Sequence, residues 1–238
     1  MISNYGLLFL VLGLGMGLSV ALKKLNLAGA LCGGLLGLAI YAGAGFTGIA
    51  MMATFFLAGT AATHYKRDWK EALGITDKKQ LKRTASQVLA NGGVAGILGV
   101  MALFLPGNAP VIQVMIAAAF AAATADTLSS ELGIVFGKTV YNIRSLKRET
   151  PGMDGAISWE GTFAGIAGSI LIAMIYSLGY GLNQMFIWII TAGIFGNLAD
   201  SYLGATLERS QRINNDVVNF LNTLAGALLA FVLATFFK

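Results

Sequence analysis

Charge, cysteine and histidine are all scarce in this chain, and each shortage excludes something. Charged residues make up 11% of its 238 positions, against roughly 25% in an ordinary soluble domain. A water-soluble globular enzyme is therefore excluded, and a disordered chain needs far fewer apolar residues than the 56% present. Cys32 is the single cysteine and lies inside an apolar run, which excludes a disulfide scaffold. His64 is the single histidine, so a zinc site is implausible; at a helix end it reads as an interfacial residue rather than a catalytic base. Alternating strands are missing too. Stretches such as 111–125 are continuously apolar and Ala-rich, unlike an outer-membrane barrel.

Apolar runs near 20 residues are what remains, with a mean hydropathy of +0.73. Each is long enough to cross a hydrocarbon core of about 30 Å as a helix. The chain reads as one all-α, polytopic membrane bundle over residues 1–238. Eight spans are expected, at 4–22, 27–44, 46–63, 85–105, 110–133, 161–180, 184–207 and 217–237. The first lacks a basic leader and reads as a retained helix.

Fifteen of the sixteen basic residues fall in the four links that follow odd-numbered spans. They are Lys23 and Lys24, then Lys66, Arg67, Lys70, Lys78, Lys79, Lys82 and Arg83, then Lys138, Arg144, Lys147 and Arg148, and finally Arg209 and Arg212. The links at 44–46, 106–110 and 181–183 carry no charge. The positive-inside bias then places the charged links in the cytoplasm and both termini outside. A net charge of +5 on one face suits anionic lipid, and equally a mouth that collects phosphorylated substrates. No nucleic-acid recognition module is visible.

The even-numbered spans open alike, with Ala-Gly pairs starting at 28, 95, 164 and 225. That pattern suggests repeated helix hairpins. The glycines suit close helix packing, or phosphate approach to a helix N-terminus.

Acids inside the apolar runs carry the functional signal. Asp126 and Asp200 each lie roughly 10 Å inside the charged end of a span. A carboxylate there costs several kcal/mol unless paired or hydrated, roughly as for any intramembrane charge. Thr127, Ser129, Ser130 and Glu131 accompany the first; Asn197, Ser201 and Glu208 accompany the second. Oxygen ligands without His or Cys suit Mg²⁺, with Asp126, Asp200 and Glu131 as candidate ligands. A transport path and an internal ion pair are the alternatives. Around these acids, the 138–161 link sets Lys138, Arg144, Lys147 and Arg148 beside a glycine-punctuated turn that could cradle a polyphosphate. Arg83, Gln87 and Asn91 recur every four residues on one helix face. No Walker-type loop is present. Trp69, among mixed charges, reads as interfacial.

Taken in order, Arg83-Thr-Ala-Ser-Gln-Val-Leu-Ala-Asn-Gly, Ala123-Thr-Ala-Asp-Thr-Leu-Ser-Ser-Glu-Leu-Gly, Pro151-Gly-Met-Asp-Gly-Ala-Ile-Ser, Asn197-Leu-Ala-Asp-Ser-Tyr-Leu-Gly-Ala-Thr-Leu-Glu and Asn214-Asn-Asp-Val-Val-Asn give the chain a family likeness. It resembles the integral-membrane family that contains plant and cyanobacterial phytyl-phosphate kinase and animal transmembrane protein 19. A weaker likeness reaches the CTP-using CDP-diacylglycerol synthase and the dolichol and phytol kinases, through Asp126, Phe136-Gly-Lys138, Trp159-Glu-Gly161 and Gly196-Asn-Leu-Ala-Asp-Ser201. The synthase's lysine pair is replaced by Gly155-Ala-Ile-Ser158, and its late Pro-Gly-His-Gly-Gly segment by Asn214-Asn-Asp-Val-Val-Asn219. These departures speak against cytidylyl transfer to phosphatidate.

The resemblance implies a kinase that converts an isoprenoid monophosphate to its diphosphate, with CTP as donor and Mg²⁺ as cofactor. Asp126, Asp200 and Lys138 would be catalytic. Arg83, Gln87, Asn91, Arg144, Lys147, Arg148, Ser158, Asn197, Ser201, Asn214, Asn215 and Asn219 would bind substrate or nucleotide. The expected partners are isoprenoid monophosphate, nucleoside triphosphate and membrane lipid, with a homodimer as the expected assembly. A lipid cytidylyltransferase and an ion-coupled transporter are the rival expectations.

Overall fold

A computed structural model describes residues 2–72, 74 and 82–237; Lys78 and Lys79 of the 64–84 link lie outside them. The elements in order are α1 (Ile2–Ala21), α2 (Leu27–His64), α3 (Arg67–Ala72), α4 (Ala85–Phe104), α5 (Ala109–Phe136), strands β1 (Tyr141–Asn142) and β2 (Ala156–Ile157), α6 (Trp159–Tyr180), α7 (Met185–Leu203) and α8 (Asn215–Phe236). Among the described residues, seven helical segments are long and apolar enough to cross a membrane. The protein is a polytopic helical membrane protein.

One of the seven crosses twice. As a straight rod, α2 would be about 57 Å long at about 1.5 Å per residue. Instead its two ends meet, because Lys24 just before it lies 2.8 Å from His64 at its end. The reversal is at Gly45, where φ is +57° and ψ −152°, a conformation that an L side chain disfavours. The chargeless 44–46 link is thus the tip of a helical hairpin, and the span count rises to eight. Tyr180 at the end of α6 donates to Ala44 O at 2.7 Å, and Gln113 near the start of α5 donates to Gly43 O at 3.3 Å. This tip, the link before α5 and the end of α6 therefore share the uncharged end of the bundle.

α5 is the central post. Residues 116–125 are all 0% exposed, and seven of these ten are alanine. A helix apolar all round belongs inside a bundle rather than on its rim. Its neighbours approach closely because they are small where they meet it. A Cβ on Gly226 would fall 3.0 Å from Ala118 O, and one on Gly168 3.1 Å from Thr124 O. Further on, Gly161 of α6 sits against Gly133 of α5. The glycines at the starts of α4 and α6 serve packing: Gly92 and Gly96 face Leu36, and Gly165 faces Ala125 O and Asn197. α1 lies at the periphery on α2, through Leu8, Leu12 and Ile49.

The recurring helix openings share one local cause. Asn26, Thr84, Ser158 and Asn214 cap α2, α4, α6 and α8, each accepting from a backbone N–H three residues on. All four N-termini are at the charged end. Those of α2 and α4 are tied side by side, since Asn26 N donates to Arg83 O (3.1 Å) and Arg83 N to Lys24 O (2.9 Å).

Candidate functional site

At the charged end the bundle opens into a cavity of about 510 Å³. Its floor comes from the last turns of α5 and α7, where the alanine core gives way to Asp126, Thr127, Ser129 and Ser130 on one helix and Asp200 and Ser201 on the other. The Asp126 and Asp200 carboxyl groups are within hydrogen-bonding reach of each other. Ser130 Oγ donates to Asp126 at 3.5 Å. Asn222 Nδ2 donates to Asp200 Oδ2 at 3.4 Å, while Asn222 Oδ1 is buried without a partner. Beyond Asp200, residues Gly204–Glu208 form one π-helical turn. Such turns interrupt α-helices mainly at functional sites.

The roof is the 150–158 link. Pro151, Gly152, Asp154, Gly155 and Ser158 all line the cavity, so the glycine-punctuated turn lies where the sequence places it. β1 and β2 pair antiparallel at its base, Tyr141 with Ile157 and Asn142 with Ala156. Gly155, at φ +75°, presses on Ala205 of the π turn, and any Cβ there would collide with it. Arg209 pins the link by donating to Glu149 Oε2 and to Asp154 O, both at 2.8 Å. The Arg209 guanidinium holds the Glu149 carboxyl below its ordinary range.

The cations that reach the cavity are not those expected of the 138–148 link. Lys138, Arg144, Lys147 and Arg148 are exposed on the bundle face and do not line it. The β1–β2 pairing carries that stretch outward, and the structure does not bring these four cations to the cavity. Lys24, His64, Arg67, Lys82 and Arg83 line the cavity instead. Arg67 is taken up by Glu71 at 2.7 Å. Arg83 lies over the rings of Phe55 (5.6 Å) and Phe56 (5.9 Å), against Gly59. Burial draws its guanidinium below its usual value while nearby Glu131 draws it up; an arginine remains a cation throughout.

Several expected ligands have structural duties. Glu131 is bound by Lys70 at 2.6 Å, and Lys70, 1% exposed, also donates to Ala62 O. Among the described residues no three acidic, histidine or cysteine side chains form a metal cluster; the carboxylate pair stands without Glu131. Gln87 lines the cavity but its Oε1 accepts from Thr84 N in a capping box. Asn91 also lines it, with Nδ2 donating to Gln87 O. Ser158 is a cap on the rim. Asn197 is buried between α6 and α7, away from the cavity, and Asn214 caps α8 outside it. Asn215, Asn219 and Ser201 do line it.

Sequence reasoning missed Lys24, Asn222 and the cavity position of His64. A signal existed for Asn222: with Asn215 and Asn219 it makes a stripe spaced four and three on α8.

Comparison with known proteins supplies an independent line. The family described as integral membrane protein DUF92 matches residues 10–227. The chain is 30% identical over 231 residues to the chloroplastic protein VTE6 of Arabidopsis thaliana, covering 93% of this chain and 68% of that one. It is 32% identical over 189 residues to an uncharacterized membrane protein of Methanocaldococcus jannaschii, covering 79% and 77%. To protein PGR of Arabidopsis thaliana it is 28% identical over 212 residues, covering 79% and 73%. No solved structure matches.

Proposed function

The chain belongs to the DUF92 family of integral membrane proteins, and from that premise we propose that it is a Mg²⁺-dependent kinase that extends an isoprenoid monophosphate to its diphosphate, with CTP as donor. The observation that carries this reading is the adjoining carboxylates of Asp126 and Asp200 on the floor of a cavity lined by Lys24, Lys82 and Arg83. Two carboxylates side by side in a bundle repel unless a cation or proton lies between them. Two carboxylates and phosphate oxygens are the usual protein complement of Mg²⁺. Asp126 and Asp200 would hold it, with Ser130 and Asn222 orienting them. The bound metal would neutralise charge on the transferring phosphoryl group.

The chain's own residues supply the rest. An oxygen of the lipid monophosphate forms a bond to the γ phosphorus. The bond from that phosphorus to the β–γ bridging oxygen breaks, and CDP leaves with the electron pair. The attacking phosphate is already an anion, so no strong base is needed. Backbone N–H groups of the 150–158 link and the capped N-termini of α4, α6 and α8 favour the negative charge. By the positive-inside bias the cavity opens to the cytoplasm and both termini lie outside. In a Cys32→Ala background, a cysteine placed at Asn108 should react with an impermeant reagent only from the outside.

Purified protein given geranylgeranyl monophosphate and CTP should form the diphosphate with Mg²⁺ and stop when the metal is chelated. Absence of product from prenyl monophosphates of every chain length, with every nucleoside triphosphate, would overturn the kinase reading in favour of ion-coupled transport.

A further inference from the structure

The cations of the cavity wall are themselves ordered, around Lys24. Lys24 Nζ lies 2.8 Å from His64 Nε2, and His64 Nδ1 lies 2.8 Å from Thr60 O. A carbonyl only accepts, so Nδ1 carries the proton. Nε2 is then the acceptor of a Lys24 N–H. His64 therefore steers the ammonium and leaves it two N–H donors. Arg83 belongs to the same wall, because its backbone pairs with that of Lys24. Among the described residues neither cation has a carboxylate within 4.0 Å.

Apolar side chains flank this wall. Leu22 and Leu27, on either side of Lys24, are 63% and 67% exposed on a membrane-spanning bundle. Phe55 and Phe56, beneath Arg83, belong to the second arm of the α2 hairpin, two to three turns before its charged end. Cations at the boundary between apolar surface and a polar cavity match a molecule with a phosphate head on a hydrocarbon tail. A nucleotide has no such tail. We propose that Lys24, steered by His64 and joined by Arg83, seats the phosphomonoester of the lipid acceptor, apart from the carboxylates that take the metal–nucleotide. The lipid's identity rests on the kinase reading; the seat itself rests on the geometry.

The test is binding of geranylgeranyl monophosphate to the detergent-purified full chain, followed by thermal stabilisation without nucleotide or metal, beside binding of CTP with Mg²⁺. Lys24→Gln should weaken lipid-phosphate binding by about 10-fold or more, the worth of a charge-assisted hydrogen bond, and leave CTP affinity within about twofold. Lys24→Arg, which keeps the charge, should restore most of the loss. His64→Leu should weaken lipid-phosphate binding less than Lys24→Gln, raising KM for the lipid without lowering kcat. Weakened CTP binding with lipid binding intact would overturn the seat and leave the kinase reading standing. So would a Lys24→Gln protein that binds both ligands normally. Lipid-phosphate binding that depends on Lys24, without turnover from any nucleotide, would uphold the seat and remove the kinase reading.

Discussion

α5 has two halves that differ in kind although one helix carries both. From Ile116 to Ala125 nothing is exposed, and its neighbours meet it through glycine and alanine. From Asp126 to Ile134 the same helix is open to a polar cavity. In the first half small side chains let backbones touch, so dispersion closes the bundle. In the second half α6 still packs closely, through Gly161 on Gly133, but hydroxyls and carboxylates line an open cavity on the side facing α7. The dry half fixes where α5 and α7 lie, and this brings Asp126 to Asp200. The wet half carries the carboxylates on which the proposed chemistry rests.

If the halves divide labour in this way, substitutions should separate fold from activity. The largest effect belongs to the dry half's close contacts. Gly226→Leu places a side chain on Ala118 and Ala122, and no folded protein should be recovered from detergent by size-exclusion chromatography. Gly13→Leu, where nothing lies within 4 Å, should purify normally. Next come the carboxylates. Asp126→Asn and Asp200→Asn should each lower turnover by at least about 100-fold, as loss of a preorganised charge does, while eluting as the parent protein does. Near-normal Mg²⁺-dependent activity in both would end the metal assignment.

Arg83→Gln should cost about 10- to 100-fold in kcat/KM, as expected for a charge-assisted contact to phosphate. A smaller effect lies in the tether between Arg209 and Glu149. A carboxyl held low in the folded protein adds stability above its ordinary pKa of about 4.3, and loses it as pH falls through the lowered value. The drop in Tm between pH 6 and pH 3 should therefore be slightly larger in the parent than in Arg209→Gln. The smallest effect is expected where the sequence suggests a large one. Replacing Lys138, Arg144, Lys147 and Arg148 together by glutamine should leave kcat/KM within about twofold. A loss comparable to that of Arg83→Gln would bring this outer link into the site.

The bundle was largely legible because its physics is one-dimensional. Apolar length and charge breaks locate the spans, and a chargeless glycine link at 44–46 marks the hairpin that the φ of Gly45 makes. Asp126 and Asp200 were legible because a carboxylate in an apolar run demands a reason. What sequence could not resolve is which basic link folds inward. The 138–148 cations and Lys24 with Arg83 look alike as charge, but the β1–β2 pairing turns the first set out, and the backbone pairing of Lys24 with Arg83 turns the second set in. The ion pair of Glu131 was hidden for a related reason: its partner Lys70 is 61 residues away on α3, and no local spacing announces it.

Kinase and cytidylyltransferase chemistry need the same metal and cations, so the fate of the nucleotide's phosphorus atoms decides between them. CTP labelled separately at the α and γ phosphates, given to the purified protein with Mg²⁺ and a prenyl monophosphate, should pass only γ label to the lipid and release CDP. Transfer of α label to the lipid, with release of pyrophosphate, would contradict the account.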